Sequence, residues 1–191
     1  MSSSELCLER PLFGGAITSA FRPFPQRFQD ASNIRQVPDH QEVFVDPSRD
    51  ESLIFELLDF KSDVGDNGSA SWFLQDLALI EAPGLSFRNI PAVVTSAVGE
   101  MAISKGRQGR DAQNLVRVYV ANLRLKGVET DVLVTAYEPI LINPLSESAN
   151  AVGSGLAVPA SQSGISPMCD VIKHAVSTFR VNDWSLFGSS A

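Results

Sequence analysis

NLVRVYVANLRLK, Asn114–Lys126, carries apolar side chains on both sides of an extended chain. Leu115, Arg117, Tyr119, Ala121 and Leu123 point one way; Val116, Val118, Val120 and Asn122 point the other. A strand with apolar residues on each face is expected to be covered, at least in part, on each face. Val93–Ser104 and Thr130–Glu138 flank it and are equally rich in β-branched and alternating residues. The links between them, Lys105–Asp111 and Gly127–Glu129, are short. Parallel pairing needs a crossover of about a dozen residues or more, so these three runs predict an antiparallel meander.

Working upstream, Ala16–Phe21 reads as a short strand, broken by the two prolines of RPFPQRF (Arg22–Phe28). Asp30 or Ser32 can cap a short helical turn through Val37, and Pro38 discourages its continuation. Glu42–Asp46 (EVFVD) alternates as a strand does. In SRDESLIFELLDF, Ser48 and Glu51 match a capping box, and Leu53, Ile54, Leu57 and Leu58 form one helical stripe. The pattern predicts a helix over Arg49–Phe60. A second amphipathic helix is predicted from Ala70 through Phe73, Leu74, Leu77 and Leu79/Ile80 to the stop at Pro83–Gly84.

Downstream, residues 141–165 turn to Ser, Ala, Gly and Asn with little periodicity, and are expected to be a disordered loop. Ser166 and Pro167 then open a helix whose stripe is Met168, Val171, Ile172, Ala175, Val176 and Phe179. Trp184, Leu186 and Phe187 form an apolar tail that should dock. The fold expected is α/β: an α/β/α sandwich with a central, mainly antiparallel sheet flanked by helices on both faces. Residues 1–191 are expected to form a single domain, with 1–10 flexible.

Composition narrows the function. Fifteen basic against 22 acidic residues leave a net charge of −7, which disfavours generic nucleic-acid binding and suits a partner with a basic surface. Two cysteines, Cys7 and Cys169, make neither a disulfide framework nor a CxxC metal site. MSSSELCLER lacks a signal-peptide apolar core, and no run reaches the ~20 apolar residues of a membrane span. A soluble, reduced, cytoplasmic or nuclear protein is expected. No cofactor or metal is implied, because P-loop, nucleophile-elbow and HExxH patterns are absent.

There are two histidines. His174 falls on the polar side of the last predicted helix, where a solvated role is the plain reading. His40 lies between Asp39 and Glu42, and an acid can orient or charge an imidazole. That admits a small hydrolase centred on His40, although no nucleophile comes with it. A solvated turn explains the same residues, and so does a docking surface. The basic run KGRQGRD, with Lys105, Arg107 and Arg110, reads as a solvated turn or a contact for an acidic partner.

Two stretches together are more specific. PLFGGA (Pro11–Ala16) is followed by DASNIRQVPDHQEVF (Asp30–Phe44) and DESLIFELL (Asp50–Leu58). They closely resemble the Ran guanine nucleotide release factor family, over about the first 60 residues. The resemblance implies a monomeric, non-enzymatic protein of nucleus and cytoplasm. Such a protein binds the small GTPase Ran, promotes release of its guanine nucleotide and supports nuclear protein import. It also implies a fold similar to the PsbP family, so a structural subunit or interaction module sharing only that fold is the alternative. By the family pattern, Asp39 and Glu42 are the Ran-contacting acids, with Arg35, Gln41 and Asp50 nearby. Reversing both acids to lysine is then expected to abolish Ran binding and leave the fold intact.

Overall fold

A computed structural model describes residues 9–21, 27–74, 78–80, 93–104 and 109–188. In chain order, β1 (Arg10–Leu12), β2 (Ile17–Ser19) and β3 (Gln29–Asp30) lead into a hairpin of β4 (Gln41–Asp46) and β5 (Glu51–Asp59). A short helix, α1 (Ser69–Leu74), and β6 (Ala78–Ile80) precede β7 (Val93–Ile103), β8 (Asn114–Leu125) and β9 (Thr130–Ile142). Then come α2 (Glu147–Val152), β10 (Gly155–Leu156), α3 (Met168–Ser177) and β11 (Arg180–Val181).

The predicted meander is present: β7 pairs with β8 and β8 with β9, both antiparallel. It lies within a large sheet of order β3-β4-β5-β9-β8-β7-β6, with β10 against β9. A small second sheet has the order β1-β2-β11. The architecture is therefore mixed α/β, dominated by antiparallel sheet, with few helices.

Alternation along β8 divides the core as its sequence requires. Ala121, Leu123 and Leu125 join a large cluster with Phe21, Phe28, Phe44 and Phe55 and with the apolar stripe of α3. Val116, Val118 and Val120 join Ala70 and Leu74 of α1 in a second cluster. Phe21 anchors the first, with ring centroids 4.8 Å from Phe44 and 5.7 Å from Phe55. Burying each such ring contributes about 2–3 kcal/mol. The stripe of α3, Met168 through Phe179, is buried as predicted. In the tail, Leu186 and Phe187 pack on the core while Trp184 stays 45% exposed.

The largest departure from expectation is β5. Where Leu53, Ile54, Leu57 and Leu58 suggest a helix over Arg49–Phe60, the chain is a strand, paired along one side with β4 and along the other with β9 from Ser52↔Tyr137 to Asp59↔Thr130. Burial follows a period of two, with Glu51, Leu53 and Phe55 buried and the residues between them only partly so. Ile54 and Leu58 fall on the opposite face, which is partly covered, so an apparent helical stripe is a strand with apolar residues on two sides. Two partner strands outweigh a local preference worth a few tenths of a kcal/mol per residue. The capping residues are used otherwise. Asp46 Oδ1 accepts from Ser48 N at 3.0 Å and from its hydroxyl at 2.6 Å, and Glu51 binds Arg27 and Arg49.

The second predicted helix ends early. α1 stops at Leu74 and residues 78–80 pair as β6 with β7. The expected stop at Pro83–Gly84 lies outside the described residues, as do Cys7, most of RPFPQRF and Lys105 and Arg107 of the basic run. Thr95 of β7 fixes the start of α1: its hydroxyl accepts from Ala70 N at 3.1 Å and lies 2.8 Å from Ser69 Oγ.

Residues 141–165 carry the end of β9, α2, β10 and a 3-10 turn at Ala160–Ser163 in place of the expected disordered loop. Their backbone is tied down by polar side chains from distant elements, which periodicity does not register. Arg49 donates to Val158 O at 2.6 Å and Asn114 accepts from Asn143 N at 2.8 Å, while Arg27 donates to Ser166 O, just past the segment, at 2.6 Å.

Candidate functional site

The acidic stretch forms the mouth of the β4–β5 hairpin. Gln41 N donates to Pro38 O at 2.9 Å, closing a turn with Asp39 and His40 at its corner, both exposed. Pro38 has no N–H and a fixed φ, so it suits a bend that must not extend into strand. Leu57 N donates to His40 O at 2.9 Å and anchors the turn on β5. Glu56, also on β5, gathers two side chains on one oxygen: Gln41 Nε2 at 2.7 Å and His40 Nε2 at 3.4 Å. The acid that faces His40 is therefore Glu56, not the sequence neighbours Asp39 or Glu42.

Glu42 points to the other face of β4, toward the PLFGGA turn. Its Oε1 accepts from Phe13 N at 2.6 Å. Burial pushes its carboxyl above the usual range; the Phe13 N–H acts in the opposite sense, and the nearby Asp30 carboxylate pushes it further up. The turn it meets is unusual backbone. Phe13, Gly14 and Gly15 have φ of 49°, 67° and 91°, all left-handed. A Cβ at Gly14 or Gly15 would meet nothing within 4 Å, so the double glycine answers a need of the backbone and not of packing. Asn182 holds the other side of the turn through Ala16 O at 2.8 Å and Gly15 O at 3.3 Å.

Between the two turns runs an open groove of about 420 Å³. Asp30, Asp39 and Glu42 line it with the apolar Phe13, Val37, Pro38, Val43 and Leu186, and among the described residues none that lines it is basic. Asp30 is itself fixed, accepting from Ser32 N at 2.8 Å and capping the 3-10 turn Ala31–Asn33. Arg35 is exposed just beyond that turn.

Of the residues singled out in the sequence, Asp39, Gln41 and Glu42 thus come together, with Arg35 on the adjoining segment. Asp50 does not join them. It sits in the turn at the opposite end of the hairpin, with φ of 55°, and the length of β4, roughly 17 Å, separates the two ends. Sequence reasoning passed over Phe13, Asp30 and Leu186 as parts of the site. The first two lie within the quoted family stretches; Leu186 carries no local signal. Among the described residues no group of three or more His, Cys, Asp or Glu side chains is placed to hold a metal ion, and no helix is long and apolar enough to cross a membrane.

Comparison with known proteins gives one consistent result. A family model described as "Ran-interacting Mog1 protein" matches residues 10–139. The Ran guanine nucleotide release factor of Danio rerio is 36% identical over 168 residues, covering 80% of this chain and 88% of that protein. The nuclear import protein MOG1 of Saccharomyces cerevisiae is 30% identical over 204 residues, covering 94% of this chain and 84% of that protein. Among solved structures, the Saccharomyces cerevisiae Ran-binding protein Mog1p superposes with a TM-score of 0.62 at 25% identity, over 95% of this chain and 98% of that one.

Proposed function

The chain belongs to the Ran-interacting Mog1 protein family, and from that premise we propose that it binds the small GTPase Ran, promotes release of its guanine nucleotide and supports nuclear protein import. The observation that carries this is the family match across residues 10–139, which spans both walls of the acid-lined groove. It acts as a monomer moving between nucleus and cytoplasm, through binding energy and not through chemistry of its own. Its layers are an α/β/α sandwich, a reading supported by the alternate residues of β8 that meet α1 and α3.

The Ran-facing surface is the mouth of the β4–β5 hairpin. Asp39 is its exposed acid, Glu42 sits in the groove behind it, and Arg35 and Gln41 stand at its edge. Asp50 is left out of this surface by its position. A GTPase holds its nucleotide with a lysine, backbone amides and Mg²⁺ against phosphate charge. A carboxylate presented there pairs with basic groups that otherwise support the nucleotide, or disfavours the metal, and so stabilises the nucleotide-free state.

Asp39→Lys is the direct test, because Asp39 is exposed and its reversal disturbs no buried contact. Truncating a charge at the centre of an interface typically costs about 2–5 kcal/mol, so binding to Ran is expected to weaken by at least about 30-fold. Pull-down with GTP- or GDP-loaded Ran and release of labelled nucleotide read the outcome. Absence of wild-type binding to either form would remove the proposal; an unaffected variant would move the surface elsewhere. Reversal of Glu42 is a poorer probe, since it also removes the acceptor of Phe13 N–H.

A further inference from the structure

The groove has two walls, and one side chain joins them. Glu42 lies on β4 beside Asp39, yet its nearest partner is the backbone of a turn 29 residues earlier in the chain. The donor, Phe13 N, belongs to a residue at φ 49°, a conformation that a bulky side chain adopts only when its surroundings impose it. Without Glu42, this part-buried N–H loses its acceptor, and the left-handed run Phe13–Gly15 loses its tie to β4, keeping its own Ala16 N to Phe13 O bond, the β1–β2 pairing and the Asn182 side. Phe13 and Gly14 line the groove themselves, so a shift of that turn changes the shape of the surface next to Asp39.

We propose that Glu42 is a positioning residue of the Ran-binding surface: it acts through Phe13, holding the PLFGG turn against β4, and is not itself a charged contact to the partner. Its geometry fits this role better than direct pairing. One carboxylate oxygen is committed to Phe13 N at hydrogen-bond distance, and the side chain is half-buried while Asp39 is exposed. Burial disfavours the charged form of Glu42, and Asp30, a second carboxylate lining the same groove, adds to that. What the turn needs is an acceptor oxygen, and a neutral amide supplies one.

This rests on the proposed Ran binding, and the experiment separates the two. Ran affinity is measured for wild type, Glu42→Gln, Glu42→Ala and Asp39→Asn, alongside hydrogen exchange of the Phe13 amide. If Glu42 positions the turn, Glu42→Gln keeps affinity within about threefold and keeps Phe13 protected, whereas Glu42→Ala exposes that amide and weakens binding about tenfold or more. Asp39→Asn loses affinity with Phe13 still protected. Equal losses in Glu42→Gln and Glu42→Ala, with Phe13 protected in the amide variant, would make Glu42 a charge contact and overturn the proposal. Full affinity in Glu42→Ala would overturn it too. Should Glu42→Ala fail to fold, Glu42→Gln decides alone: retained binding supports the role and its loss overturns it. If wild type binds no Ran, the proposed function falls and the positioning role falls with it.

Discussion

At the scale of single residues, Glu42 and Gly15 show how the backbone of the site is held. Gly15 stands at φ 91° with open space where a Cβ would be. Gly15→Ala therefore meets no clash, only an unfavourable backbone, and should lower stability by about 1–2 kcal/mol in urea denaturation. A neutral result would mean that the turn relaxes freely. Glu42 adds a pH dependence with a defined sign. Burial raises its folded-state pKa above that of the unfolded chain, so the folded protein holds the proton more tightly. Its contribution is fully present below the unfolded value and is lost as pH rises through the folded one. Glu42→Gln lacks this titration, so the stability of wild type relative to that variant should decline as pH rises from the ordinary glutamate value, about 4.3, through the raised folded-state value. Thermal melts across that range check it, and a flat or rising difference would contradict the assignment. None of this was legible in the sequence, where Asp39 and Glu42 look like equivalent acids three positions apart. Asp39 stands exposed in the turn ahead of β4, whereas β4 sends Glu42 back toward Phe13.

At the scale of elements, legibility followed the range of the forces involved. The meander and α3 declare themselves because alternation and helical periodicity repeat over many residues and agree with the final burial. β5 does not, because apolar residues on two faces of a strand leave an i, i+1, i+4, i+5 pattern that also fits a helix, and β9, which decides the matter, lies some 80 residues further on. Residues 141–165 fail for a related reason: their order comes from Arg49 and Asn114, distant in sequence, with Arg27 holding Ser166 just beyond. Arg27 and Glu51 form the heart of that tie. Arg27 Nε lies 2.8 Å from Asp46 Oδ2, its terminal nitrogen binds Glu51, and Asp46 and Glu51 are both 2% exposed. Removing one partner from such a group leaves buried charge without compensation. Glu51→Ala should cost about 3 kcal/mol or more in denaturant unfolding, with loss of amide protection around Val158. A loss below about 1 kcal/mol would show that the network is replaceable.

At the scale of the whole molecule, the net charge of −7 and the acid-lined groove act in the same direction. A basic partner surface is drawn in by the long-range field, and salt screens that field. Association with Ran, followed by stopped flow, should slow about tenfold between roughly 0.05 M and 0.5 M salt, with a smaller change in dissociation. A salt-independent association rate would argue that steering plays no part. The small sheet adds a constraint in time. β2 pairs with β11, Thr18 opposite Arg180, and Asn182 secures the PLFGG turn. A chain emerging from the ribosome makes Asn182 some 140 residues after Glu42, about 7–28 s later at about 5–20 residues per second. The last brace of the PLFGG turn is therefore made only after the whole large sheet and α3 have been synthesised.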